Sequence, residues 1–127
     1  MSDTPAPRAV AEAFFDRMAD DDRRRTAGEL FVAEPTITLP GASFAGEDAF
    51  AAFLDHLAPR YERATKTFDR WIESGSTVVS IGTLSGVDNR GEAFEGVRYI
   101  DVYEVADGRI ERLDIWNDLL VAGVVDS

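Results

Sequence analysis

Cysteine is absent from this chain of 127 residues, and histidine occurs once, as His56. Without cysteine the chain can form no disulfide and perform no thiolate chemistry. A zinc site would need carboxylates or waters as most of its ligands, which is an uncommon ligand set. The sequence also contains no phosphate-binding loop and no dinucleotide-binding fingerprint. We therefore expect neither a metal nor a cofactor.

Basic residues are scarce: 13 of them stand against 24 acidic residues, for a formal net charge of -11. Such a chain repels phosphate backbones and anionic lipid, since affinity for nucleic acid comes largely from Lys and Arg. No apolar run is long enough to cross a bilayer. The first residues lack the basic-then-apolar pattern of a secretion signal. We expect a cytoplasmic protein that binds neither nucleic acid nor membrane.

The hydrophobic pattern has a helical period in the first half of the chain. With 45% apolar residues and an ordinary domain length, residues 1–127 are expected to form a single domain. Apolar residues recur every three or four positions, which indicates amphipathic helices. The predicted helices are Pro7–Ala19, a short helix carrying Leu30 and Phe31, and Glu47–Ala58.

The period changes to two in the second half, with many β-branched and aromatic residues. A short strand, Thr36–Leu39, comes before the last helix, and four long strands follow it. The predicted long strands are Ala64–Glu73, Thr77–Val87, Ala93–Val105 and Arg109–Val121. Helices followed by a meander of strands indicate an α+β fold, with the helices on one face of an antiparallel sheet.

The last hairpin brings candidate catalytic residues together. Asp107-Gly108 is a strong two-residue turn signal, and counting outward from it sets the register. The resulting pairs are Val105 with Ile110, Tyr103 with Arg112, Asp101 with Asp114, and Tyr99 with Trp116. Two carboxylates directly opposed across strands destabilise a sheet and raise one of the two pKa values. This register predicts a polar site walled by Tyr99, Tyr103 and Trp116.

Two alternatives are open for this hairpin. Arg112 lies on the same predicted face and could neutralise both carboxylates. A register shifted by one residue would instead place Asp101 and Asp114 on opposite faces. The other face of the predicted hairpin carries an apolar patch that consists of Ile100, Val102, Leu113 and Ile115.

The stretch from Tyr99 to Ile110 (YIDVYEVADGRI) resembles the closing hairpin of the nuclear transport factor 2-like superfamily. The chain is most similar to the SnoaL-like branch, which includes polyketide cyclases, ketosteroid isomerases and limonene-epoxide hydrolases. The order of elements agrees along most of the chain, including the segments Leu30-Phe31-Val32, Phe44-Ala45-Gly46 and Glu47-Asp48-Ala49-Phe50. The resemblance implies a cone-shaped, curved antiparallel sheet packed against about three N-terminal helices. It also implies a conical pocket for a small apolar ligand and a homodimer through the outer sheet face, at the apolar patch.

The resemblance implies a catalytic role for Asp101, which matches the strand aspartate of the isomerases and epoxide hydrolases. The position of the isomerase base holds Leu39, and the isomerase tyrosine of the first helix is replaced by Phe14, Phe15 and Met18. A ketosteroid isomerase mechanism is therefore disfavoured.

The epoxide hydrolases need an arginine two residues before the aspartate, and that position is Tyr99. Arg112 could substitute from the neighbouring strand, with Asp114 or Asp118 as the base. A cyclase requires the fewest catalytic residues, namely one acid–base residue in the pocket, which could be Asp101 or Asp114.

Two functions follow from these residues. The first is a cofactor-free acid–base enzyme of the polyketide cyclase, isomerase or epoxide hydrolase kind, with Asp101, Asp114 and Arg112 as catalytic residues. The second is a non-catalytic ligand-binding or dimerisation module, in which these three residues form a structural ion cluster. The predicted substrate-binding residues are Tyr99, Trp116, Tyr103, Asp118, Phe14, Met18, Leu39, Phe53, His56 and Trp71.

Overall fold

The computed structural model describes residues 5–20, 22–57, 61–88 and 90–118, with no side chains described for residues 61–64. These residues form two α-helices, one 3₁₀-helix and six strands. The elements in chain order are α1 (Pro7–Met18), the 3₁₀-helix (Arg24–Leu30), β1 (Phe31–Leu39), β2 (Ala42–Ala45), α2 (Ala49–Leu57), β3 (Tyr61–Ser74), β4 (Thr77–Asp88), β5 (Ala93–Ala106) and β6 (Arg109–Asn117). The predicted α+β class, with helices before a curved sheet, is confirmed.

The helices agree with the predicted segments apart from their ends. Pro7 begins α1, a position where its missing N–H costs nothing because the first N–H groups of a helix have no partner. The predicted short second helix is a 3₁₀-helix that stops before Phe31. Phe31 opens β1 instead, because its ring packs 5.5 Å from that of Phe14 and 5.4 Å from that of Phe50. The end of the third predicted helix, Ala58, lies outside the described residues.

The sheet has the strand order β2-β1-β6-β5-β4-β3. Strands β3 to β6 form an antiparallel meander, as predicted. The pair β1–β6 is parallel, which corrects the prediction of a purely antiparallel sheet. A parallel pair is possible here because β1 and β6 are joined by a long connection, which runs through β2, α2 and the strands β3 to β5. The last predicted strand continues beyond residue 118, outside the described residues.

The register of the last hairpin differs from the prediction. The turn at Asp107-Gly108 is confirmed, with Ala106 opposite Arg109 and Val105 opposite Ile110. Beyond that point β6 contains one extra residue, and the observed pairs are Glu104 with Arg112, Tyr103 with Leu113, Asp101 with Ile115, and Ile100 with Trp116. A bulge that adds one residue exchanges the two faces of the strand. The predicted facing pairs of Asp101 with Asp114, Tyr103 with Arg112, and Tyr99 with Trp116 are therefore wrong.

The core lies between α1 and the inner face of the sheet. Alternate residues of β5 point inward, and Tyr99, Asp101, Tyr103 and Val105 are all buried. The corrected register also changes the outer face, because Leu113 is fully buried and Ile115 packs against the core. The apolar residues of the outer face are Ile72, Val79, Ile81, Ile100, Val102 and Trp116.

No helix within the described ranges is long and apolar enough to cross a membrane.

Gly82 stands where β3 and β4 approach closely. A Cβ atom at this position would overlap the carbonyl oxygen of Thr67 and lie 3.0 Å from the ring of Tyr99. The close approach occurs next to a bulge in β3, where Phe68 pairs with Gly82 and Arg70 with Ile81. Because the nearest atom belongs to the backbone, a side chain here could be accommodated only by moving a strand.

We expect Gly82→Ala to destabilise the protein by about 1–3 kcal/mol, as overpacking of a closely packed site does. Chemical denaturation measures the change in the free energy of unfolding. Thr83→Val is the matched control, since Thr83 is the next residue of β4 and its side chain faces the other side of the sheet. The control should stay within about 0.5 kcal/mol of the original protein. Equal effects of the two substitutions would contradict the close approach.

Candidate functional site

A buried ion pair occupies the inner face of the sheet. The Nζ atom of Lys66 lies 2.5 Å from the Oδ2 atom of Asp101. The side chain of Asp101 is 1% exposed and that of Lys66 is 23% exposed. Lys66 is the only lysine of the chain, the other twelve basic residues being arginine. The ion pair therefore combines a fully buried carboxylate with the one primary amine that a side chain supplies.

The strand register explains how Lys66 reaches Asp101 across β4. Asp101 on β5 pairs with Ser80 on β4, whereas Lys66 on β3 pairs with Leu84, four residues further along β4. The side chain must therefore cross β4 diagonally, and the residue halfway along that path is Gly82. Because Gly82 has no side chain, the lysine stem can pass over the strand.

Aromatic rings surround the ammonium group. The Nζ atom of Lys66 lies 4.0 Å from the ring centroid of Phe15 and 4.8 Å from that of Tyr99. The ring of Phe15 in turn lies 5.7 Å from that of Tyr103 and 5.8 Å from that of Trp71. A cation over an aromatic face is attracted by the ring quadrupole, and the attraction grows as water is removed. These contacts hold the amine in a largely apolar environment.

Two buried polar atoms of the site have no hydrogen-bond partner among the described residues. They are the Oδ1 atom of Asp101 and the hydroxyl of Tyr103. The hydroxyl of Tyr99, by contrast, is paired with the Oγ atom of Ser80 at 2.8 Å. Buried polar groups are nearly always hydrogen-bonded, and in native proteins exceptions often have a functional cause. One oxygen of Asp101 and one phenol thus have a hydrogen-bonding capacity that no described residue uses.

Burial shifts the pKa values of these groups towards their neutral forms. Burial raises the pKa of Asp101 above its ordinary value although Lys66 opposes the shift. Burial lowers the pKa of Lys66 although Asp101 opposes that shift. The pKa of Tyr99 is raised to about 12, chiefly by burial, and that of Tyr103 is raised well above its ordinary value for the same reason. A proton shared between Lys66 and Asp101 therefore costs less to move than it would in water.

Asp114 and Arg112, two of the three predicted catalytic residues, lie on the outer face and not beside Asp101. The Nε atom of Arg112 donates to the Oδ2 atom of Asp114 at 2.8 Å, and the hydroxyl of Thr38 donates to its Oδ1 atom at 2.6 Å. Burial alone would raise the pKa of Asp114, but these two donors outweigh it and lower the pKa. The predicted cluster of three residues does not form, since the bulge in β6 places Arg112 and Asp114 on the opposite face of the sheet from Asp101.

Two predicted pocket residues also lie elsewhere. Trp116 is 53% exposed on the outer face, opposite Ile100. Asp118 forms an ion pair with exposed Arg98 at 2.7 Å. Neither of them can wall a site around Asp101.

The other predicted pocket residues belong to the core or its margin, and two of them touch the site. Tyr99 and Tyr103 flank Asp101 as predicted, Phe14 lies 6.0 Å from Tyr103, and Trp71 adjoins Phe15. Phe53 is buried in the core, and Met18 and Leu39 are partly buried against it. The ring of His56 packs 5.5 Å from that of Phe44 on β2.

Within the described part of the chain, no three His, Cys, Asp or Glu side chains are placed to hold a metal ion.

Sequence reasoning missed Lys66, Phe15 and Ser80. The extra residue Asp69 in β3 lets both Lys66 and Trp71 point inward, whereas strict alternation would put them on opposite faces. The one signal available in the sequence was that Lys66 is the only lysine of the chain.

A groove of about 470 Å³ lies at another part of the surface. It is lined by the 3₁₀-helix, β1, the start of α2 and the first residue of β6, through residues that include Phe31, Phe50 and Arg109. Neither of the two unpartnered buried polar atoms belongs to a residue of this groove. The chemistry therefore points to the Lys66–Asp101 pair and not to the groove.

Comparison with known proteins gives one family. The sequence profile of the SnoaL-like domain matches residues 11–113, which is most of the chain. No curated protein sequence matches the chain.

Solved structures agree in fold at low sequence identity. A candidate SnoaL-like polyketide cyclase from Jannaschia sp. CCS1 has a TM-score of 0.81 at 18% identity, over 98% of this chain and 96% of that one. TerC, crystallised with polyporic acid, has a TM-score of 0.81 at 16% identity, over 94% and 96%. A nuclear transport factor 2-like protein of unknown function from Exiguobacterium sp. 255-15 has a TM-score of 0.72 at 23% identity, over 86% and 98%. At these identities the likeness shows the fold alone.

We expect Asp101→Leu to lower the free energy of unfolding by about 3–5 kcal/mol, because it leaves the Lys66 ammonium buried without a counter-charge. The double variant Lys66→Met/Asp101→Leu should regain most of that loss, since an apolar pair removes both charges. In the single variant the pKa of Lys66 falls further below its unfolded value of ~10.4. The unfolded chain then holds the proton more tightly, and stability rises with pH up to that value.

Urea denaturation across neutral and alkaline pH measures both effects. Asp114→Leu is the matched control, because it removes an aspartate from the outer face and should leave the pH dependence of stability as it is in the original protein. If the double variant is no more stable than Asp101→Leu, the buried ion pair is not the cause.

Proposed function

The chain belongs to the family of SnoaL-like domains, and we propose that it is a cofactor-free acid–base enzyme in which Asp101 moves a proton on a small, largely apolar molecule. The observation that carries the proposal is the environment of Asp101. Its Oδ2 atom is held by Lys66, and its Oδ1 atom is buried without a partner among the described residues. A carboxylate with one fixed and one available oxygen is oriented for proton transfer.

The reaction that these groups support best is proton removal from a carbon next to a carbonyl. The Oδ1 atom of Asp101 takes the proton, and the bonding electrons move into an enolate. The Tyr103 hydroxyl, which also has no partner among the described residues, can donate to the enolate oxygen. The enolate carbon can then attack a second carbonyl of the same molecule, as in a polyketide cyclase, or recover a proton at another position, as in an isomerase. Acid–base catalysis of this kind contributes about 10²–10⁴-fold in rate.

The apolar walls argue for a small apolar substrate. Phe15 and Tyr99 present ring faces to the Nζ atom of Lys66, and the ring of Trp71 packs against that of Phe15. Access to Asp101 is past Lys66, which is the more exposed member of the pair. The lysine stem is flexible, so its displacement by a substrate opens the carboxylate without movement of the backbone.

Epoxide hydrolysis is disfavoured by the position of the second carboxylate. That chemistry was predicted to use Asp114 or Asp118 as base, with Arg112 as the bridging cation. Asp114 and Arg112 lie on the outer face and are paired with each other, and Asp118 is paired with exposed Arg98. A ketosteroid isomerase is disfavoured because its base position holds Leu39, which packs against the core.

The second candidate function is a non-catalytic binding module. The observation that favours it is the ion pair itself, since Lys66 neutralises Asp101 and joins β3 to β5. In that case the ion pair only stabilises the sheet, and the same site binds a small apolar ligand without reaction.

We infer that a second copy of the chain covers the outer face of the sheet. Three large apolar side chains lie exposed there, Ile72 at 47%, Ile100 at 42% and Trp116 at 53%. An apolar patch on one sheet face suits a twofold dimer, in which the same surface of both copies is buried. The members of this patch differ from the predicted ones, since Trp116 belongs to it and Leu113 and Ile115 do not.

A carboxyl-carbon NMR titration tests the state of Asp101. We expect its pKa to lie above the ordinary aspartate value of ~3.9, because burial outweighs the effect of Lys66. Asp114 is an internal control in the same spectra, and its pKa should lie below that value. An Asp101 that titrates at or below the ordinary value would favour the binding module.

Proton exchange at carbon tests the reaction. We expect the protein in D₂O to accelerate exchange of the protons next to the carbonyl of 2-tetralone, followed by proton NMR. Asp101→Asn should reduce the rate by about 10²–10⁴-fold. The matched control Asp114→Asn should leave it unchanged. Exchange that is equal in both variants would show that Asp101 is not the base.

Sedimentation at micromolar concentration tests the dimer. Trp116→Glu places a charge in the apolar patch and should convert the dimer to monomer. Ala51→Glu adds the same charge on an exposed position of α2 and should leave the dimer intact. A monomer before any substitution would contradict the inferred contact.

A further inference from the structure

Lys66 is a primary amine in a place where arginine would serve better as a structural ion. Arginine is always charged and forms bidentate pairs, so it suits buried and interface ion pairs. The chain uses arginine for its twelve other basic residues and lysine only here. What lysine offers and arginine does not is an amine that can lose its proton and attack carbon.

The surroundings of the amine favour its neutral form and its reactivity. The Nζ atom lies against the faces of Phe15 and Tyr99, and its one acidic neighbour is Asp101, among the residues that the structure describes. Burial lowers the pKa of Lys66 in spite of that carboxylate. The titratable groups that face it are thus Asp101 and the Tyr99 hydroxyl, which is already paired with Ser80.

We propose that Lys66 is an amine nucleophile that forms an imine with a small aldehyde or ketone bound against the rings of Phe15 and Tyr99. The 2.5 Å contact between Nζ and Oδ2 gives the amine an acid–base partner in direct reach. The partial exposure of Lys66 gives a carbonyl compound access to it. Amine, acid and apolar wall are the three parts that imine formation needs.

Imine formation needs no group beyond Lys66, Asp101 and the carbonyl compound. One proton passes from Lys66 to Asp101, leaving a neutral amine and a carboxylic acid. The nitrogen lone pair attacks the carbonyl carbon, and the carbonyl π electrons move to oxygen. Asp101 protonates that oxygen while the new ammonium returns a proton to Asp101, which gives a neutral carbinolamine. Asp101 then protonates the hydroxyl of the carbinolamine, the C–O bond breaks and water leaves. The nitrogen lone pair forms the C=N bond, which gives an iminium ion paired with the Asp101 carboxylate.

The imine deepens the proposed function and rests on the same site. An iminium ion makes the neighbouring C–H group more acidic than the parent ketone does, so the freed carboxylate of Asp101 could remove that proton. Imine formation itself requires no proton transfer from carbon. The two ideas can therefore fail separately.

Reductive trapping tests the amine directly. The full chain is incubated with 2-tetralone and sodium cyanoborohydride at neutral pH, and the adducts are located by peptide mass spectrometry. The only primary amines of this sequence are Lys66 and the α-amine of the first residue, which serves as the internal standard. We expect Lys66 to be trapped faster in the folded protein than in the same protein in urea, since the lowered pKa of the buried amine increases its neutral fraction and Asp101 supplies an acid–base partner.

Three variants and a pH profile separate reactivity from mere exposure. Lys66→Arg keeps the positive charge beside Asp101 and should lose the adduct at position 66 while the N-terminal adduct persists. Asp101→Asn should lower the plateau rate of trapping at alkaline pH, where the amine is neutral with or without Asp101, because the acid–base partner is lost; Asp114→Asn should leave that plateau unchanged. The rate should reach half its plateau at a pH below the ~10.4 of an ordinary lysine.

Trapping of folded Lys66 no faster than in urea, or an adduct at the first residue alone, would overturn the imine. If the protein still accelerates proton exchange of 2-tetralone in that case, the proposed acid–base function stands without it. If Lys66 is trapped as expected but the protein does not accelerate proton exchange of 2-tetralone, proton removal by Asp101 is overturned and the imine stands.

Discussion

The ion pair between Lys66 and Asp101 is the interaction on which the inner face of the sheet depends. It links β3 to β5 across β4, and it places two opposite charges in a core that otherwise consists mostly of aromatic and aliphatic side chains. A buried ion is costly unless it is paired, so each partner requires the other. Gly82 lies on β4 between the positions that pair with the two partners, where a Cβ atom would overlap the carbonyl oxygen of Thr67.

The aspartates on the two faces of the sheet differ in how their carboxylate oxygens are hydrogen-bonded. On the outer face, Asp114 accepts hydrogen bonds from Arg112 and Thr38, and both of its oxygens are used. On the inner face, Asp101 has one oxygen used and one without a partner among the described residues. The pKa shifts follow this difference, downward for Asp114 and upward for Asp101. Of these two carboxylates, the inner one is therefore the stronger base.

Periodicity and turn signals were enough to predict the helices, the meander and the turn at Asp107-Gly108, because each depends on local sequence. They failed wherever a strand contains an extra residue. A bulge in β6 moved Asp114 and Trp116 to the outer face, and the bulge at Asp69 in β3 brought Lys66 to the inner face. Bulges are set by tertiary packing more than by local pattern, and each one inverts every assignment beyond it. Asp101, Tyr99 and Tyr103 were placed correctly because no bulge in β5 falls between them.

The chemistry of the pair also limits which ligand the proposed site could bind. Moving one proton from Nζ to Oδ2 converts an ion pair into a neutral amine and acid, and the net charge of the site is zero in both forms. A charged ligand would leave an unbalanced charge in either form, which burial between Phe15 and Tyr99 penalises. A neutral molecule with a carbonyl group adds no net charge and offers an acceptor to the Tyr103 hydroxyl. The same neutrality that lets a charged pair exist in this core therefore favours a neutral carbonyl compound over an anion or a cation.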